Sequence, residues 1–357
     1  MPVLPAAFGA VVTSALERAK TVAFVRAMTL PEPVQRAIAG RPIRIDGNEL
    51  SLQAQMLLRL QQIAREADTG SLPNPEGRIA MTRQARMVGG NHPIGDVQER
   101  TVQGAAGTLP ARLYVPNVLL GGFPGPLALF FHGGGMVRGD LDSHDAVCRF
   151  LAEEAGVRVL SVDYRLAPED PFPAAVDDAW AAYEWVSEHA AEYGADPARL
   201  AVAGDSAGAY FAATTAIRAA QEGRDLAFQL LIYPVTEMGG TRPSRSTFGE
   251  GFYLTKDFVD RAETEYLGGA DLHDPRASVM RAEIPEGLAP AYLCTAGFDP
   301  LRDEGDAYAE KLQQAGVKVE HERFTDHIHG FVNMLAFDGP AKTYARRIAA
   351  ALLAGLS

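Results

Sequence analysis

The run GDSAG, residues 204–208, sets one serine between two glycines where an apolar stretch, residues 200–203, gives way to a helix-forming segment. A serine hydroxyl is a weak nucleophile near neutral pH. It needs a base to take its proton, a group to orient that base, and N–H donors for the oxyanion that forms on attack. A serine that must project from a sharp strand-to-helix turn needs small residues on both sides so that the backbone can pass closely. A serine buried for packing would need neither glycine, and the competing reading of the same five residues is a Gly-rich turn with an ordinary serine, or a helix N-cap.

The partners occur elsewhere in the chain, each after an apolar run. "FFHGGGMVRGD" follows the run at 127, and its consecutive glycines leave backbone N–H groups uncovered at a strand end. Gly134 and Gly135, with the amide of Ala207, are the expected oxyanion donors; His132 is expected to brace the loop by hydrogen bonds, and the competing reading of the glycines is a flexible turn. "AGFDPLRDEG" follows the run at 291. There Asp299 can orient a base, or open a helix ahead of Pro300 as a cap. Asp303 is the rival carboxylate, placed where a helix dipole alone favours it. "FTDHIHGFVNM" holds two candidate bases, His327 and His329. His329 precedes a glycine in a strand-to-helix loop and is the one expected to reach the serine, whereas His327 is expected to be solvated or to brace the loop.

These groups can meet only on a sheet whose strands end on one side. From residue 95 the chain alternates short apolar runs (from 110, 127, 157, 200, 228, 291 and 317) with helical segments at 144–154, 174–193, 207–222, 300–315 and 341–353. That pattern predicts an α/β fold with a mostly parallel central sheet flanked by helices. "ERTVQG" and "PARLYVP" predict an antiparallel hairpin at its edge. Residues 235–289 are too long for a simple crossover, so 236–284 is expected to be an insertion over the strand ends, with a helix at 256–266. The aromatic and apolar residues Phe248, Phe252, Tyr253 and Leu254 are weak candidates for an acyl pocket, as is Asp205 beside the serine. The chain before 95 reads as helical (7–29, 34–39, and a stripe of Leu50, Met56, Leu57, Leu60 and Ile63), with "TGSLPNPEG" from Thr69 as a loop.

Taken in this order, HGGG (132–135), VDYRLAPEDPFPAAVDDA (162–179), GDSAGA (204–209), DPLRDEG (299–305) and HGF (329–331) resemble the hormone-sensitive-lipase-like carboxylesterases of the α/β-hydrolase fold, particularly the bacterial ones. The resemblance spans most of residues 95–335. It implies Ser206 as nucleophile, His329 as base and acid, Asp299 as its orienter, and Gly134, Gly135 and Ala207 as the oxyanion hole. It further implies a helical cap made of an N-terminal segment, 1–95, and the 236–284 insertion, over a catalytic domain of 96–235 and 285–357. It favours short- to medium-chain acyl esters, and a homodimer joined through the last strand, "VKVEHERF", and a C-terminal helix. Two departures stand out: Ala209 where a third glycine is common, and a long N-terminal segment. Tyr164 to Glu169, "YRLAPE", reads as scaffold.

Composition narrows the remaining classes. A net charge of −12 over 357 residues repels phosphate backbones, so nucleic acid is not an expected partner. Two distant cysteines, Cys148 and Cys294, form neither a metal spacing nor a disulfide framework, which suits a reducing cytoplasm. No apolar run reaches membrane-spanning length, and no signal-peptide pattern precedes residue 30. The proposed chemistry requires neither metal nor organic cofactor. Three alternatives share these features: an amidase or formamidase with the same triad, a non-catalytic ligand-binding relative, against which His329 argues, and a lipid-surface protein acting through residues 7–29.

Overall fold

A computed structural model describes residues 20–64, 69–122 and 124–357; residues 7–19 of the expected first helix lie outside them. The chain divides into two compact units between residues 66 and 67. In the smaller unit residues 20–28 are helical. A helix Glu32–Ala39, a short hairpin (Arg44–Ile45 with Asn48–Glu49) and a helix Leu52–Ala64 follow. Gln55 fastens this unit internally, its Nε2 donating to the carbonyls of Ala39 (3.0 Å) and Arg41 (2.8 Å). Met56 and Leu57 of the expected stripe are buried, but Ile63 is 57 % exposed.

The larger unit begins with a helix that the sequence reading missed. Half of "TGSLPNPEG" is its first turn: α1 runs Asn74–Gly89, with Pro75 in the position where a missing N–H costs nothing. Its packed face is polar or small, which is why no apolar stripe announced it. Arg78 donates to the carbonyls of Val137 and Ala167 and pairs with Glu169, Thr82 bonds Asp140, and Arg86 pairs with Asp142.

The sheet is built from β1 (Asp96–Gly104), β2 (Gly107–Val115), β3 (Gly125–Phe131), β4 (Arg158–Val162), β5 (Ala195–Asp205), β6 (Phe228–Ile232), β7 (Ala291–Phe298) and β8 (Val319–Ile328). Its order is β8-β7-β6-β5-β3-β4-β2-β1. β1 and β2 form the expected antiparallel hairpin and β2 pairs antiparallel with β4; every other neighbour is parallel. The middle strands β3, β4, β6 and β7 are buried along their whole length, as continuous apolar runs require when helices cover both faces.

Helix α2 (Asp145–Ala155) carries the chain from β3 to β4 in one direction across the sheet, and α4 (Ala207–Gln221) carries it from β5 to β6 in the other. With right-handed crossovers these two helices fall on opposite faces. α8 (Pro340–Gly355) packs beside α2, and α3 (Ala174–Glu188) beside α4. The direction reverses around β3, and ligands bind outside the strand ends at such a point. Register then aligns the two loops that matter: Phe131 of β3 pairs with Gly204 of β5, so the HGGG loop and the serine leave the sheet at one level.

The insertion folds as α5 (Pro243–Thr247) and α6 (Lys256–Leu267). It is anchored by charge: buried Arg245 meets Glu263 at 2.7 Å and Asp260 at 3.0 Å, with Glu304 3.9 Å away on α7 (Arg302–Gln314). Asn74 Nδ2 of α1 donates to Glu265 of α6 at 2.6 Å.

The YRLAPE segment is held by one buried carboxylate. Asp178, fully buried on α3, accepts Arg165 Nε at 2.7 Å and Nη2 at 2.9 Å, and the amide of Ala105 at 3.0 Å. Truncating one partner of such a pair strands the other's charge, a loss of several kcal/mol. Asp178→Ala is therefore expected to lower unfolding free energy by about 3 kcal/mol, read as a fall in the urea midpoint. An unchanged midpoint would show that the pair is not a structural tie.

Candidate active site

Ser206 sits between β5 and α4 at φ 55, ψ −120. A non-glycine residue rarely holds this conformation, and where one does the surroundings enforce it. The two flanking glycines explain how. A Cβ on Gly204 would lie 2.3 Å from the Gly208 carbonyl carbon, and one on Gly208 would lie 1.9 Å from the carbonyl oxygen of Phe131. The turn closes only because both side chains are absent. The Ser206 amide donates to Ile232 O at 2.8 Å, tying the turn to the end of β6.

Three distant loops converge there. Ser206 Oγ lies 3.0 Å from His329 Nε2, and His329 Nδ1 lies 2.7 Å from Asp299 Oδ2. Asp299 is fully buried and His329 is 6 % exposed. An ionised carboxylate can only accept, so Nδ1 carries the proton and Nε2 faces the hydroxyl as acceptor. The two readings of Asp299 are both realised: its other oxygen, Oδ1, accepts the Leu301 amide at 2.8 Å at the head of α7. Its rival Asp303 is occupied by the insertion, accepting the Ser244 amide at 2.8 Å and Arg302 Nε at 2.8 Å.

Of the two readings of His327, bracing holds and solvation does not. It is fully buried rather than solvated, and burial pushes its pKa down to about 3, so it stays neutral. Its Nδ1 accepts the Ile328 amide, which braces the strand end. His132 is likewise buried, its pKa lowered to about 4 by burial and then by neighbouring His144. It stacks on Tyr164 at 4.3 Å, and Tyr164 Oη donates to the His132 carbonyl at 2.6 Å, which holds the first residue of the HGGG loop.

A pocket of ≈ 100 Å³ opens beside Ser206. Gly134, Gly135 and His329 line it with the serine, and Ala207 opens α4, so its amide is one that a helix leaves without an internal acceptor. Tyr253 and Leu254 also line it, whereas Phe248 and Phe252 pack on Phe298 at 5.5 Å each and fasten the insertion to the end of β7. Asp205 reaches the wall, but its carboxylate is committed inward: Oδ1 accepts the Gly133 amide at 2.9 Å and lies 3.1 Å from His144 Nε2, and Oδ2 accepts Tyr233 Oη at 3.2 Å. Burial opposes its charge, yet His144 and the Gly133 amide hold its pKa below the usual carboxylate value. The sequence reading missed Met81 and Gln84 from α1, and Arg138, Thr255, Phe258 and Asn333.

A second serine, histidine and aspartate are buried nearby but do not form a relay. Both ring nitrogens of His144 are engaged, by Ser143 and Asp205, and Ser161 lies on β4 beside Cys148.

The fold and this site define a serine hydrolase of the α/β-hydrolase class. The α/β hydrolase fold family profile matches residues 128–333. The chain is 41 % identical over 341 residues to the carboxylic ester hydrolase LipN of Mycobacterium tuberculosis, covering 92 % of this chain and 89 % of that protein. It is 46 % identical over 244 residues to the esterase LipI of the same organism, covering 68 % and 76 %. Among solved structures, a thermostable esterase from Pseudomonas putida superposes with a TM-score of 0.83 at 33 % identity, covering 88 % of this chain and 99 % of that one. A hyperthermophilic esterase from the archaeon Pyrobaculum calidifontis gives 0.81 at 37 %, covering 85 % and 98 %. The chain belongs to the α/β-hydrolase family, in its hormone-sensitive-lipase-like carboxylesterase branch.

The close approach behind the serine yields a direct test. Gly208→Ala forces a methyl group into the Phe131 carbonyl, where neither backbone can yield. We expect a loss of about 1–3 kcal/mol in stability and a fall in ester turnover, measured by denaturant unfolding and steady-state kinetics. Wild-type values for both would contradict the packing described.

Proposed function

We propose that this carboxylesterase hydrolyses short- to medium-chain acyl esters through an acyl-enzyme on Ser206. The observation that carries the reading is the hydrogen-bonded line Ser206, His329, Asp299 beside a pocket bordered by Gly134 and Gly135. Ser206 attacks the ester carbonyl while His329 Nε2 takes its proton. The oxyanion is met by the amides of Gly134, Gly135 and Ala207, donors fixed before the reaction begins. His329 returns the proton to the leaving alcohol, then activates water for deacylation. Asp299 stays ionised and keeps the proton on Nδ1.

The size of the pocket supports the choice of acyl chain. At ≈ 100 Å³ it is small beside sites that enclose drug-sized ligands, which favours short acyl groups over long ones. Its apolar wall comes from Met81, Tyr253, Leu254 and Phe258, so α1 and the 236–284 insertion together act as the cap over the strand ends. No helix among the described residues is long and apolar enough to cross a membrane. Cys148 and Cys294 are buried free thiols, which suits a reducing cytoplasm. β8 is a sheet edge, which leaves its outer side for pairing with a second copy alongside α8.

The test is a p-nitrophenyl ester series from acetyl to dodecanoyl, run beside the matching p-nitroanilides. The expected kcat/KM is highest between acetyl and hexanoyl and falls at longer chains, with anilides far slower. Ser206→Ala should lower kcat by roughly 10⁶-fold. Activity retained in that variant would remove the serine from the mechanism, and anilides cleaved as fast as esters would make the enzyme an amidase.

A further inference from the structure

Tyr233 follows the last residue of β6 and sits at φ 36, a conformation that a bulky side chain rarely adopts. It is 1 % exposed. Strain of this kind gathers at active sites and persists only where its surroundings impose it. Here the backbone and both ends of the side chain are held. The amide donates to Cys294 O at 2.7 Å. The ring lies 4.5 Å from the imidazole of His329, tilted by 54°, and 5.3 Å from Phe331, edge to face. The hydroxyl donates to Asp205 Oδ2 at 3.2 Å. The other oxygen of that carboxylate holds the Gly133 amide at the root of the oxyanion loop.

The imidazole of His329 needs such a neighbour. Its bonds to Asp299 and Ser206 lie near the line joining its two nitrogens. They fix the ring's position but leave rotation about that line restrained only by the side chain's own torsions. A flat group against the ring's flank stops the rotation.

Resting on the esterase reading, the geometry points to Tyr233 as a positioning residue: its ring is the stop that sets the plane of His329, and its hydroxyl ties that stop, through Asp205, to the loop that carries the oxyanion donors. One carboxylate thereby fixes the base and the oxyanion hole relative to each other. Burial, and then the charge of Asp205, keep the phenol protonated well above its ordinary range, so the hydroxyl is a standing donor. A tyrosine that only filled space would give the same burial but would not use its hydroxyl.

The test is a set of variants on p-nitrophenyl acetate. Tyr233→Phe keeps the ring and loses the tie; we expect kcat to fall about tenfold with KM nearly unchanged, since small misplacements of a catalytic group are costly. Added to Asp205→Asn, the same change should cost no more than about twofold, because the hydroxyl has lost its carboxylate. Wild-type kcat in Tyr233→Phe, or its full tenfold cost on the Asp205→Asn background, would overturn the proposal. If Asp205→Asn does not fold, the single variant decides. The downfield proton resonance of His329 Nδ1–H gives a readout without substrate: it should be sharp in wild type and broadened by rapid exchange in Tyr233→Phe, and an unchanged line would count against the tie. If wild type hydrolyses no ester, the esterase reading fails, while this resonance still judges the positioning.

Discussion

The close approach of two backbones behind Ser206 is the constraint on which the rest of the molecule depends. β3 and α4 touch where the carbonyl of Phe131 meets Gly208, with no room for a methyl group between them. That contact holds Ser206 at positive φ, aims its hydroxyl out of the sheet, and brings the HGGG loop alongside. A looser turn would let the serine relax into an ordinary helix cap, and neither His329 nor the glycine amides would then meet it.

Asp205 is the electrostatic counterpart of that steric constraint. It is buried next to Ser206 and kept ionised by His144 and the Gly133 amide against the cost of burial. A buried charge is tolerated only when its lone pairs are used, and here each bond serves the site. One reaches the HGGG loop and another reaches the tyrosine against the imidazole. The carboxylate that looks most available to a substrate is committed to holding the loops around it.

Much of this was legible in the sequence because the site is built from short local signals on regular elements. The serine, aspartate and histidine each follow a continuous apolar strand, and their chain order and glycine neighbours are visible without coordinates. The edge hairpin and the long insertion were visible for similar reasons. What escaped was whatever depends on packing between distant segments. α1 was hidden because its packed face uses arginine and threonine rather than an apolar stripe, so Met81 and Gln84 could not be foreseen as pocket residues. Phe248 and Phe252 carry the same composition signal as Tyr253 and Leu254, and only the three-dimensional stacking on Phe298 separates core from wall. His327 and His329 differ by two residues along a strand end, yet one is sealed in the interior and the other faces Ser206.

On the proposed mechanism a single hydroxyl, at position 206, is chemically activated by its surroundings. Labelling the native protein with a fluorophosphonate and locating the adduct by peptide mass spectrometry tests this most directly. Stoichiometric modification confined to the peptide containing Ser206, lost when His329 is replaced by alanine, is the expected result. An unlabelled Ser206, or an adduct on another serine such as Ser161, would contradict it.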